Sequence, residues 1–155
     1  MNLRVLKRSR RQPEVGDVFA MQMGDAPFHF GRVISTNANP LGVGSGILVY
    51  FYQATSACKT SVPPLDPKRL LIPPLITNKL PWSQGYFEHI QTVPIAISEV
   101  LPQHRFWDPL KEVFRDEQGN LAMDPSVPCS TWGLHSFRTI DDELSKALNM
   151  PLSSD

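Results

Sequence analysis

Four histidines, two cysteines and scattered carboxylates are the groups in this 155-residue chain that could carry chemistry. His29, His89, His104 and His135 form no HxH, HxxxH or HExxH spacing, so no local metal site is offered. Ser136 follows His135 directly, and adjacent residues on a strand or helix face different ways, so the two make no nucleophile–base pair. Cys58 and Cys129 lie in no CxxC spacing and have no neighbouring base; they read as free thiols. Asp108, Glu112, Asp116 and Glu117 could supply two carboxylates for acid–base work, but acids around a turn are ordinarily solvated. The glycine-rich run 42–46 lacks the order of a phosphate-binding loop and reads as a turn. These residues predict no catalysis, no metal and no cofactor.

The elements that must position such groups are mostly strands. Fifteen prolines leave few gaps long enough for an ordinary helix. Residues 17–23 and 28–36 read as two strands around the turn Gly24-Asp25-Ala26-Pro27. Val18 and Ala20 share one face of the first strand while Phe19, Met21 and Met23 share the other. Both faces are therefore apolar, which implies a strand covered on both sides or curled into a barrel. Residues 46–53 (GILVYFYQ) are a branched and aromatic run and the strongest strand signal. Strands are also expected at 69–76, interrupted by Pro73-Pro74, at 86–93, and at 112–115 and 121–123 around the turn 116–120. The tail predicts a helix capped by Thr139, with Ile140, Leu144, Ala147 and Leu148 on one stripe and Asn149 and Pro151 ending it. Asp142 and Lys146 then stand at i,i+4. The fold class is α+β and β-rich: a strongly curled antiparallel sheet or small barrel with a C-terminal helix. Asp17 and Arg32 are expected to face each other across the first hairpin, with His29 on the opposite face.

Net charge is zero, yet it is unevenly spread. Arg4, Lys7, Arg8, Arg10 and Arg11 crowd residues 1–12 without an acid, leaving ten basic and fifteen acidic residues beyond. We read 1–14 as a basic, flexible leader, 15–150 as a single globular domain and 151–155 as a tail, with nucleic-acid contact not expected. No apolar run is long enough to span a bilayer, and no apolar core follows the basic start as in a secretory signal; a cytoplasmic protein without membrane contact is expected. The aromatic set Trp82, Tyr86, Phe87, Phe106, Trp107 and Trp132 reads as core. The acids Asp116, Glu117, Asp141, Asp142 and Glu143 read as a face for a basic partner.

The ordered set GDVFA, FHFGRV, ILVYFY, PWSQGYFEHIQTVPI, HRFWDP and WGLHSFRTIDDELSKAL, spanning about residues 15–149, resembles the immunity protein 26 family of bacterial polymorphic toxin systems. Gly16, Asp17, Phe19, Gly31, Arg32, Trp82, Gly85, Phe87, Asp108 and Pro109 are the positions that match its pattern. The resemblance implies a β-rich protein that neutralises a cognate toxin domain by binding it; a basic nuclease acting in the cytosol is the toxin type that suits the acidic face. The alternative is a small-barrel nucleic-acid-binding protein or an endoribonuclease of a toxin–antitoxin system, which GDVF and its hairpin also resemble. Those enzymes carry an arginine–proline step where this chain has Arg32-Val33.

Overall fold

The computed structural model describes residues 1–40, 42 and 44–154. Val43 of the glycine-rich turn and Asp155 of the tail, like Leu41, lie outside the described residues. The strands are β1 (Asp17–Gln22), β2 (Phe28–Ala38), β3 (Gly46–Ser56), β4 (Leu70–Thr77), β5 (Glu88–Thr92), β6 (Phe106–Asp108), β7 (Val113–Arg115), β8 (Leu121–Ala122) and β9 (Leu134–His135). A single helical turn, α1 (Leu80–Ser83), precedes β5, and α2 (Phe137–Ala147) closes the fold.

Six strands form one sheet in the order β5-β1-β2-β3-β4-β9, and β6-β7-β8 form a second. The large sheet is antiparallel except for β9, which runs parallel to β4. It is open: β5 and β9 are its two edges, and it is neither closed into a barrel nor strongly curled. This corrects the barrel expectation. The apolar groups on both faces of β1 are covered by separate layers instead of by closure. One face holds Phe19, Met21, Val33, Val49, Phe51 and Leu75 beneath Ile140 and Leu144 of α2. The other holds Ile34, Leu48, Tyr50, Tyr52 and Ile76 beneath Phe106 of the small sheet. A sheet buried on both sides needs apolar residues at consecutive positions, which explains the run GILVYFY of β3.

Pro73 and Pro74 do not interrupt β4. The pairing steps from Phe51↔Ile72 to Val49↔Leu75, so the two prolines sit where β4 carries an extra residue and no ladder donor is required. Arg32 lies opposite Val18, not Asp17. With a period of two, that register puts Asp17 on the other face, so the expected Asp17–Arg32 pair does not form. His29 is on the face opposite Arg32, as expected, but shares its face with Asp17. The last helix starts one turn before Thr139: Ser136 is its cap, its hydroxyl accepting Thr139 N–H at 3.2 Å. Lys146 pairs with Glu143 at 3.1 Å instead of Asp142. Asn149 takes φ +56° and ends the helix.

Gly31 sets the centre of the first layer. A methyl group at this position would run into the ring of Phe19, which lies across it from β1. That ring stacks on Phe87 (centroids 4.4 Å, 18°) and meets Trp82 and Phe51 edge-on at 5.1 and 6.0 Å. Residues 1–14, expected as a free leader, run beside this nest. Leu3 is buried and bridges Met23, Leu6 N–H donates to Gly85 O (2.7 Å), and Ser9 N–H donates to Trp82 O (3.2 Å).

Phe19→Ala should lower unfolding free energy by about 3–5 kcal/mol through the cavity it leaves. Gly31→Ala should cost about 1–3 kcal/mol by overpacking. Urea titrations of the two variants check both, and a Gly31→Ala protein as stable as the parent would refute the close approach.

Candidate partner-binding surfaces

Two buried polar clusters hold the layers together. At the start of β1 the Asp17 carboxylate is fully buried and forms a two-contact ion pair with Arg11, while accepting Thr92 Oγ1–H (2.7 Å) and Glu14 N–H (2.8 Å). Burial alone would push Asp17 up; the hydrogen bonds from Arg11, Glu14 and Thr92 outweigh it and hold the carboxyl below its usual range. His89 Nδ1 lies 3.9 Å away. The cluster ties the N-terminal segment, β1 and β5 at one point.

The second cluster joins the two sheets. Tyr50 of β3 meets His104 Nε2 at 2.5 Å, and His104 Nδ1 meets Glu117 at 3.4 Å. Leu101 N–H donates to the Tyr50 oxygen at 3.0 Å. The Tyr50 oxygen thus accepts a backbone N–H while lying within hydrogen-bond distance of the His104 ring, whose other nitrogen faces Glu117. The order hydroxyl, imidazole, carboxylate is that of an activated nucleophile. Here the Tyr50 side chain is wholly buried, and burial raises its pKa to about 12. With its hydroxyl sealed from any substrate, the relay is a staple between layers. Glu117 is held below the usual carboxylate range chiefly by its hydrogen bond with His104.

The five acids expected to face a partner are not brought together. Asp116 and Glu117 sit on the β7–β8 turn, on the small-sheet side. Asp141, Asp142 and Glu143 sit on α2, across the large sheet. Asp116 accepts Gln118 N–H and Asn120 N–H within its own turn. Asp141 is 1 % exposed and accepts Leu3 N–H at 2.6 Å, so it anchors the N-terminal segment and is closed to a partner. Asp142 is half-exposed, and Glu143 is paired with Lys146. Among the described residues no three His, Cys, Asp or Glu side chains gather as a metal group, and no helix is long and apolar enough to cross a membrane.

Most of the pattern positions lie inside. Trp82 and Phe87 complete the Phe19 nest, and Gly85 offers its carbonyl to the N-terminal segment. Gly16, at φ +90°, packs so closely on the Val93 carbonyl that no side chain fits. Arg32 is buried and donates to Glu99 (2.5 Å) and to the Val93 carbonyl (2.8 Å). Beside it a cavity of about 370 Å³ is walled by Val18, Val62, Pro63, Pro64 and Leu65. Asp108 accepts Leu110 N–H and Arg115 Nε–H, fixing the β6–β7 turn.

The small sheet presents a feature that composition did not single out. Leu110, Met123 and Leu121 are 91, 81 and 74 % exposed. Residues Glu112, Asp116 and Asp124 lie between and around them in sequence. Leu121 lies in β8, Met123 just past it and Leu110 in the β6–β7 turn, and large apolar side chains this exposed beside one small sheet mark a candidate contact region.

The model of the family described as immunity protein 26 matches residues 14–113, from just before β1 to the first residue of β7. The chain belongs to the immunity protein 26 family. No curated protein and no solved structure matches it. In this family member the matched span contains the whole Phe19 nest, Asp17 with its partners Glu14 and Thr92 but not Arg11, and two of the three relay residues, Tyr50 and His104.

Asp17 and Glu117 are both depressed, so each stabilises the fold fully above its unfolded-state pKa and loses that contribution as pH falls through its lower folded value. Denaturant midpoints should drop modestly from pH 7 to 5, because burial holds His29 and His89 below the usual histidine range, and drop further below about pH 4 as the carboxylates titrate. Glu117→Gln should flatten that acid limb. An unchanged limb in this variant would remove Glu117 from the set.

Proposed function

We propose that this immunity protein 26 family member neutralises a cognate secreted toxin by stoichiometric binding and has no catalysis of its own. The family match over residues 14–113 carries this reading. The small sheet supports a place of contact. Leu110, Leu121 and Met123 supply apolar area that docking would remove from water, and Glu112, Asp116, Glu117 and Asp124 give their surroundings an acidic character. Apolar anchors ringed by charge are the usual anatomy of a tight interface. The acids would speed encounter with a basic toxin such as a cytosol-acting nuclease. Asp142 and Glu143 offer a second acidic contact on α2 for a toxin large enough to reach around the sheet edge.

The experiment mixes the purified chain with the toxin domain encoded beside its gene. We expect a 1:1 complex by size-exclusion chromatography with light scattering, and loss of toxicity when the two are co-expressed. Leu121→Asp with Met123→Asp should weaken binding at least tenfold while leaving the circular dichroism spectrum intact. RNA cleavage by the purified chain, or no complex with the neighbouring toxin, would overturn the reading.

A further inference from the structure

The N-terminal segment carries five cations, and the structure sorts them. Arg4 pairs with Asp25 at 2.5 Å, and Arg11 is committed to Asp17 and Glu14. Lys7, Arg8 and Arg10 are exposed and make no ion pair among the described residues. They do not hang free, because the backbone between them is pinned. Leu6 and Lys7 N–H both donate to Gly85 O, at 2.7 and 3.2 Å, and Ser9 N–H donates to Trp82 O at 3.2 Å. These bonds lay the segment along α1, where Lys79, exposed and also without an ion pair, stands at the same place. Between the segment and α1 lies a cavity of about 230 Å³ lined by Ser9, Arg10, Arg11, Lys79 and Ser83. Its walls hold three cations and two hydroxyl residues, with no carboxylate and no large apolar side chain.

We propose that this cradle binds the phosphodiester backbone of a nucleic acid, with Arg10 and Lys79 at the cavity and Lys7 and Arg8 extending the contact along the strand. The side-chain chemistry selects the ligand. Phosphate oxygens are met by Lys and Arg together with hydroxyl and N–H donors, and such contacts need no apolar anchor. A protein partner would call for aromatic or aliphatic side chains at the centre of the contact, and the cavity has none. Four unneutralised cations on a fixed track also avoid the ordering cost that a frayed tail would incur on binding. The contact reads no sequence, because it offers nothing to base edges. It stands apart from the toxin reading, since the small sheet lies on the far side of the large one.

Fluorescence anisotropy of a labelled 20-bp duplex with the full chain tests this. Four phosphate contacts predict a slope of log K against log salt of about −3.6, on the order of a hundredfold loss of affinity between 50 and 200 mM salt. Arg10→Ala with Lys79→Ala should cut the slope to about half. Lys68→Ala with Arg69→Ala removes the same charge from the β3–β4 loop and should leave binding within twofold. All four positions of the track and both control positions are exposed, so the variants keep their cores. No binding at 50 mM salt would overturn the proposal, as would equal weakening by the control pair. Equal affinity for polyglutamate would reassign the track to acidic peptides and overturn it too. Toxin neutralisation by the Arg10→Ala, Lys79→Ala protein should be unchanged, which separates this site from the inhibitory one.

Discussion

The ring of Phe19 occupies the space a side chain at position 31 would need, and much of the molecule is arranged around that substitution of one residue's volume for another's. Because Gly31 is bare, the ring can lie across β2 and stack on Phe87 while Trp82 and Phe51 close on its edges. Phe87 and Trp82 flank Gly85, and the carbonyls of Trp82 and Gly85 are the ones that receive the N-terminal segment. The aromatic nest thus fixes where α1 sits, and α1 fixes where the first ten residues run. Position 31 is small for a reason that lies in another strand.

The same economy governs the buried charges. Asp17 and Asp141, both buried, and the part-exposed Glu117 are each placed where one layer meets another, and each is satisfied by donors from a different part of the chain. An isolated carboxylate at the two buried positions would cost several kcal/mol of desolvation, so those junctions form only when their partners arrive together. Asp17 therefore reports the docking of Arg11, Asp141 that of Leu3, and Glu117 that of the loop bearing His104. These groups make the layers interdependent without contributing chemistry.

Period and composition made the large sheet legible. The strands β1 to β5 lie within a few residues of where the apolar runs end, because burial on both faces leaves an unbroken hydrophobic signature. What local pattern does not contain is how the sheet ends. Apolar residues on both faces are equally compatible with closure and with two covering layers, and only the pairing of β5 and β9 with single neighbours decides it. The Tyr50–His104–Glu117 staple joins residues 54 and 13 positions apart, a convergence that no spacing rule anticipates. The acidic run on α2 was legible as residues but not as a surface. With Ser136 as cap, Asp141 falls beside Ile140 and Leu144 on the inward side, so one of the acids expected on the partner face is buried.

A division of surface follows from these constraints. The large sheet has both faces covered, so neither is open to a partner; what lies outside includes the small sheet, α2, the N-terminal track, and the loops 57–69 and 93–103. The small sheet is held to the body by the polar staple, by Phe106, and by bonds from its β7–β8 turn to the end of β2, Asn39 N–H donating to Glu117 O (2.8 Å) and Gln118 Nε2–H to the Asn37 carbonyl (3.2 Å). A three-stranded piece with Leu110, Leu121 and Met123 in water gains stability chiefly when another surface covers it. The N-terminal track is the opposite case: it is firmly held by backbone bonds and has only cations to offer. Exposed apolar side chains favour a partner that brings its own shape, whereas cations on a pinned backbone favour a polyanion that brings only charge. The two surfaces differ in what they can recognise because one offers apolar side chains and the other cations.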